Sequence, residues 1–139
     1  MAPLKAKGDL AEVMIAADLI RRGYRIAIPY GEDWNFDLIL CRDEQRLERV
    51  QCKYTCSDGL VMAVQTCSHS LTNGRVRATK RYTAAMIDWL AVYDVTTDRC
   101  YYVPAAELGT GMNRIHLRLV AARNHQRRRI RFASSYLEI

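Results

Sequence analysis

Two short apolar runs joined by a polar turn constrain this chain more than any other feature. Asn35-Phe36-Asp37-Leu38-Ile39-Leu40-Cys41 reads as one strand and Leu47-Glu48-Arg49-Val50-Gln51-Cys52-Lys53-Tyr54 as its partner, with Arg42-Asp43-Glu44-Gln45 turning between them. Successive side chains of a strand point to opposite faces, so Gln51 and Lys53 share one face while Val50 and Cys52 share the other. A carboxylate from Asp37, an amide oxygen from Gln51 and an ammonium from Lys53 can then converge. Metal-assisted phosphodiester hydrolysis asks for that set: oxygen ligands for a hard cation and a fixed positive charge near the attacking water and the scissile phosphate. On spacing alone a solvated strand face accounts for the same residues.

The rest of the chain supplies an α/β frame. Ala6 to Arg22 carries Leu10, Val13, Met14, Ala17 and Leu19 or Ile20 at helical spacing, and Gly23 is a stop signal. Glu12 lies at the edge of that stripe, where it can look back toward a sheet or simply favour the helix dipole. Tyr24–Tyr30 alternates as a strand, and Leu60–Thr66 is another strand candidate. The polar stretch 68–80, with Asn73-Gly74 inside it, reads as a mobile loop. Tyr82–Ile87 reads as a short helix, Asp88–Val95 as a buried strand, Cys100–Val103 as a strand, and Pro104–Leu108 as one helical turn. The expected fold is a mixed central sheet flanked by helices.

With 139 residues the chain is expected to form a single domain, 1–139, with one core and a basic C-terminal segment, 114–139. No apolar run reaches the roughly 18 to 20 residues of a membrane span, and the N-terminus lacks the apolar stretch of a signal peptide, so a cytoplasmic protein with no membrane partner is expected. Cys41, Cys52, Cys56, Cys67 and Cys100 are odd in number and contain no C-x2-C pair, which argues against a zinc knuckle and a complete disulfide framework. Buried thiols packing as small apolar groups are the expectation. His69, His116 and His125 have no partners at ligand spacing.

Charge is unevenly placed. The segment from Arg114 onward holds seven arginines against one acid, Glu138, and accounts for the whole net charge of +6. A basic tail on a neutral body is the footprint of a polyanion-binding surface. Arginine outnumbers lysine 17 to 4, which suits phosphate recognition, although a genome rich in G and C gives the same bias. Arg75, Arg77, Lys80 and Arg81, then Arg123, Arg127, Arg128, Arg129 and Arg131, with Lys7 near the first helix, are the candidate contacts to such a polyanion. Arg75 with Arg77, and Arg129 with Arg131, are expected to share strand faces and follow a groove.

The order helix, hairpin, strand, helix, strand, with Glu12, Asp37, Gln51 and Lys53 at the matching places, resembles the core of the PD-(D/E)XK nuclease superfamily. Gln51 departs from the pattern, since most members carry a carboxylate there; an amide oxygen still ligates a hard cation but adds no charge. Lys7-Gly8-Asp9-Leu10-Ala11-Glu12, Val50-Gln51-Cys52-Lys53-Tyr54, Asp88-Trp89-Leu90-Ala91-Val92-Tyr93, Tyr101-Tyr102-Val103-Pro104 and the Asn124–Phe132 segment look most like the group I intron-associated homing endonucleases of that superfamily, near the archaeal-type Holliday junction resolvases.

The resemblance implies a Mg²⁺-dependent endonuclease, with Mn²⁺ as a substitute, that hydrolyses double-stranded DNA through a metal-activated water and works as a homodimer or homotetramer, associated with the nucleoid when bound. It further implies catalytic roles for Glu12, Asp37, Gln51 and Lys53, and metal ligation by Asp37, Gln51, Glu12 and the Cys52 carbonyl. A junction-selective resolvase and a DNA-binding module with a decayed nuclease site are the alternatives.

Overall fold

The computed structural model describes residues 3–121, 124 and 128–139, with Arg77 described by its backbone only. Helix α1 spans Leu4–Arg21 and ends where Gly23 takes φ 92°. Strands follow as β1 Arg25–Ala27, β2 Leu38–Cys41, β3 Leu47–Thr55, β4 Val61–Gln65, β5 Cys67–Thr72, β6 Arg75–Arg81, β7 Trp89–Asp94, β8 Arg99–Pro104 and β9 Arg114–Arg118. Short 3-10 turns occupy Ala105–Leu108 and Ala133–Tyr136.

The central sheet has the order β1-β2-β3-β7-β8. Its β3–β7 contact is parallel and its other contacts are antiparallel, so the sheet is mixed, as expected. Strand β3 lies in the middle, with Val50 facing Trp89 and Gln51 facing Leu90 across the parallel ladder.

One face of the sheet is covered by α1. Ala11, Ile15 and Leu19 pack there on Leu38, Leu40, Val50, Cys52, Ala91, Tyr93 and Tyr102. This differs in part from the expected stripe: Leu19 is buried and Met14 packs against the same cluster, but Leu10 is 41%, Val13 63% and Ile20 60% exposed. The helix carries apolar residues along two neighbouring stripes, and the one that meets the sheet is the i, i+4, i+8 row with the small Ala11, which permits close approach. The opposite face is covered by the β4–β9 pair, where Met62, Val64, Ile115 and Leu117 pack on Leu90, Val92, Tyr101 and Val103. Among the described residues α1 is the sole α-helix, so a second β layer takes the place of further helices. Residues 82–88 form a turn closed by the Met86 and Ile87 N–H groups on the Thr83 carbonyl rather than the expected short helix.

The 68–80 stretch is not a loop. Strands β5 and β6 pair antiparallel as a two-stranded ribbon, and Asn73 (φ 53°) and Gly74 (φ 76°) make the left-handed turn at its tip. Asn-Gly is the dipeptide that such a turn selects, because both central residues need positive φ and the resulting twist matches that of the strands. Three cysteines, Cys52, Cys67 and Cys100, are buried as expected, Cys41 is half-buried, and Cys56 is exposed; all five are free thiols.

Candidate active site

Asp37 precedes β2 by one residue and continues its ladder, donating its N–H to the Val50 carbonyl at 2.9 Å. Leu38 opposite Val50 puts Asp37 opposite Gln51, both on the sheet face away from α1. The Asp37 Oδ2 accepts the Cys52 N–H at 3.0 Å and the Gln51 Nε2–H at 2.9 Å. The same Gln51 Nε2 also donates to the Cys52 carbonyl at 3.3 Å. Two oxygens, one anionic and one carbonyl, thus converge on a single electropositive nitrogen.

Lys53 follows on the same face. Its Nζ donates to the Cys67 carbonyl at 3.2 Å and lies 5.2 Å from the centroid of the Tyr82 ring. Burial pulls its ammonium below the usual lysine range, and the nearby Lys80 adds to that, while Asp37 and Cys67 oppose it. Burial also pushes the Asp37 carboxyl up, more than the Cys52 N–H and the Lys53 charge bring it down. Glu12 reaches the site from the helix side. Its carboxyl is raised by burial, then by the charges of Asp37 and Asp9, and it shares with Asp37 an open cleft of about 270 Å³ lined also by Ile28, Pro29, Trp34 and Phe36. Asp37 is the common neighbour of the residues singled out in the sequence: Gln51 bonds to it, the Lys53 charge acts on it and Glu12 shares its cleft. Among the described residues no three His, Cys, Asp or Glu side chains cluster as a metal site. Instead, two hard oxygen donors, Asp37 Oδ2 and the Cys52 carbonyl, converge on the positively polarised Gln51 Nε2, and Glu12 lines the same cleft as Asp37, a set that fits a hard divalent cation.

A family model of PD-(D/E)XK endonuclease matches residues 3–139. The chain belongs to the PD-(D/E)XK endonuclease family. Membership makes it a nuclease that acts on DNA. The structure of a bacterial homing endonuclease, I-Ssp6803I, is similar to this PD-(D/E)XK endonuclease with a TM-score of 0.74 at 22% identity, covering 97% of this chain and 88% of that one. No curated protein matches the chain.

The candidate DNA contacts of this PD-(D/E)XK endonuclease lie in several parts of the chain. Arg75, Lys80 and Arg81 are exposed on the ribbon, Lys80 bonded to Asn35 Oδ1 at 2.8 Å and Arg81 Nε to Asn113 Oδ1 at 2.7 Å. The register shifts between Ser70 and Leu71, opposite the stretch holding Arg77, whose side chain lies outside what is described. Arg123 and Arg127 lie outside the described residues, as does His125. Arg128 and Arg129 are exposed in a turn where Arg129 has φ 60°, so Arg129 and Arg131 share no strand face. Arg131 instead pairs with Glu107 at 3.4 Å, and Lys7 Nζ lies 5.6 Å from the Tyr54 ring centroid.

Tyr82, Cys67 and Asn35 are neighbours of the site that pattern reading passed over. Cys67 contributes a backbone carbonyl, which carries no side-chain signal. Tyr82 directly follows the basic run ending at Arg81, and that adjacency is the available hint.

Proposed function

We propose that this chain is a Mg²⁺-dependent homing endonuclease that cuts both strands of a long duplex sequence. The observation that carries the reading is the convergence of Asp37 Oδ2 and the Cys52 carbonyl on Gln51 Nε2, with the Lys53 ammonium on the same sheet face. The likeness to a bacterial homing endonuclease supports the homing type.

Asp37, the Cys52 carbonyl and Gln51 would hold the cation, with Glu12 adding an oxygen from the cleft. Holding it requires the Gln51 amide to turn and offer Oε1 in place of Nε2. When bound, Mg²⁺ supplies Lewis-acid polarisation of the phosphate and a more acidic water. Lys53 has three N–H donors and uses one on Cys67, which leaves two for the attacking water and a phosphate oxygen. Its charge offsets the negative charge carried by the phosphoryl oxygens as the new bond forms. The attacking water gives its proton to solvent as the new P–O bond forms, and the leaving 3′ oxygen takes one from solvent in the open cleft as its bond to phosphorus breaks.

The exposed apolar row Leu10, Val13 and Ile20 on α1 supports a homodimer or homotetramer, in which two such sites cut opposite strands. Arg75, Arg77, Lys80, Arg81, Arg128 and Arg129, with Arg123 and Arg127, would carry the DNA backbone, in the cytoplasm and on the nucleoid. No helix among the described residues is long and apolar enough to cross a membrane.

The test uses the purified protein and Lys53→Ala with Mg²⁺, a linear duplex library and a four-way junction. The expected outcome is sequence-confined duplex cleavage, lost in Lys53→Ala while DNA affinity stays within a few-fold. Retained cleavage in that variant overturns the site, and symmetric nicking of the junction alone overturns the homing type.

A further inference from the structure

The β5–β6 ribbon extends from the body and carries exposed cations, yet its base is built into the site. Cys67 begins β5, Arg81 ends β6, and the two face each other across the ladder. Tyr82 follows at once and donates its N–H to the Thr66 carbonyl at 3.1 Å, so residues 66–67 and 81–82 form one closed base. That base meets both catalytic strands. The Cys67 carbonyl and the Tyr82 ring take the Lys53 ammonium of β3, and Lys80 ties β6 to Asn35, two residues before Asp37.

We propose that the base of the ribbon is a working part of the active site, in which the Tyr82 ring and the Cys67 carbonyl hold the Lys53 ammonium in line with the phosphate, making Tyr82 a positioning residue for cleavage. The inference rests on the reading of Lys53 as the cation of the cleavage step.

The geometry explains why such a device is needed. A lysine has four rotatable side-chain bonds and a compact charge, and it holds no geometry without partners. Among the described residues Lys53 has no salt bridge, so no carboxylate fixes it. A carboxylate in ion-pair contact would neutralise the charge that the phosphate needs. A carbonyl and an aromatic face orient an ammonium through a dipole and a quadrupole and leave its full charge in place. Tyr82 is itself 4% exposed and packed in the second core layer, so its ring is a fixed platform. Burial raises the Tyr82 hydroxyl, a hydrogen bond with Ser68 opposes it, and the Asp37 charge adds to the rise, so ring and carboxylate lie in one electrostatic field.

The test compares Tyr82→Phe, which keeps the ring face, with Tyr82→Leu and Tyr82→Met, which fill the space without one. Turnover and KM are measured on the cleaved duplex with Mg²⁺, Lys53→Ala runs in parallel, and melting temperatures establish folding. A well-positioned group is worth about tenfold or more in rate. The expected result is a loss of about tenfold in kcat for Leu and Met with KM and DNA affinity unchanged, rescued by Phe. Wild-type turnover in a folded Leu or Met variant, or an equal loss in Phe, overturns the proposal. Cleavage by Lys53→Ala overturns the parent reading instead, while an inactive Lys53→Ala beside a fully active Tyr82→Leu overturns this inference alone.

Discussion

Gln51 and Asp37 face each other across β3 and the start of β2, and the Gln51 amide donates to the Asp37 carboxylate at 2.9 Å. Burial pushes that carboxyl up, and the Cys52 N–H and the Lys53 charge bring it only part of the way back.

Replacing Gln51 with glutamate removes that donor and sets a second carboxylate beside Asp37. The metal-free protein should lose about 1–3 kcal/mol of stability, because the Asp37 carboxylate keeps only the Cys52 N–H of its two donors and like charges meet. Mg²⁺ affinity should rise at the same time, since a charged oxygen replaces a neutral one. Denaturant melts in EDTA and calorimetric Mg²⁺ titration check both halves; weaker Mg²⁺ binding would remove Gln51 from the ligand set.

Asp37→Asn tests the cation from the stability side. A ligand that binds only the folded state at ten times its Kd stabilises by about 1.4 kcal/mol. For a domain of this size that is roughly 3–6 °C in Tm. Mg²⁺ should raise the Tm of the unaltered protein by about this amount and leave Asp37→Asn within about 1 °C of its EDTA value. An equal Mg²⁺ shift in both proteins would place the cation elsewhere.

Arg75 sits at the start of β6, exposed beside the Asn73-Gly74 tip. If the ribbon follows the DNA backbone, Arg75→Ala should flatten the slope of log K against log salt by about 0.9, the share of one phosphate contact. Binding isotherms from 50 to 200 mM salt, roughly the range over which such contacts dominate, give that slope directly. An unchanged slope would take the ribbon tip off the DNA.

The hairpin strand that carries the site is clipped at its other end by Asp88. Its carboxylate accepts the Arg49 N–H at 2.7 Å and the Arg49 Nε–H at 3.0 Å. Burial raises this carboxyl, but the hydrogen bonds and charge of Arg49 outweigh it and hold it below its ordinary value of 3.8. A carboxyl depressed in the fold contributes stability that is present above the unfolded value and lost as pH falls through the folded one. Asp88→Asn should therefore cost about 1 kcal/mol at pH 7, allowing for the solvent exposure of the pair. The difference from the unaltered protein should shrink below pH 3.8 and vanish below the folded value. A gap that persists in acid would mean that shape, not charge, sets the role of Asp88.

Much of the site was legible because its parts are local. The alternation of Leu38, Leu40, Val50 and Cys52 fixes which face meets the core, and that assigns Asp37, Gln51 and Lys53 to the other face. Strand β7 and the turn after Pro104 were equally plain. The ribbon was written in the sequence as Asn73-Gly74 between runs of alternating residues, but polar flanks disguised it as a loop.

The sequence by itself determined the strand pair, the faces of its side chains and the order of elements, since period-2 patterning and turn chemistry act over a few residues. Tertiary structure alone decided which of two adjacent apolar stripes on α1 is buried, that a β4–β9 layer covers the second face, and what holds Lys53. Those choices depend on surfaces brought together from distant parts of the chain: the sheet selects the stripe that packs closest, and a backbone carbonyl such as that of Cys67 has the same chemistry in every residue until the fold aims it.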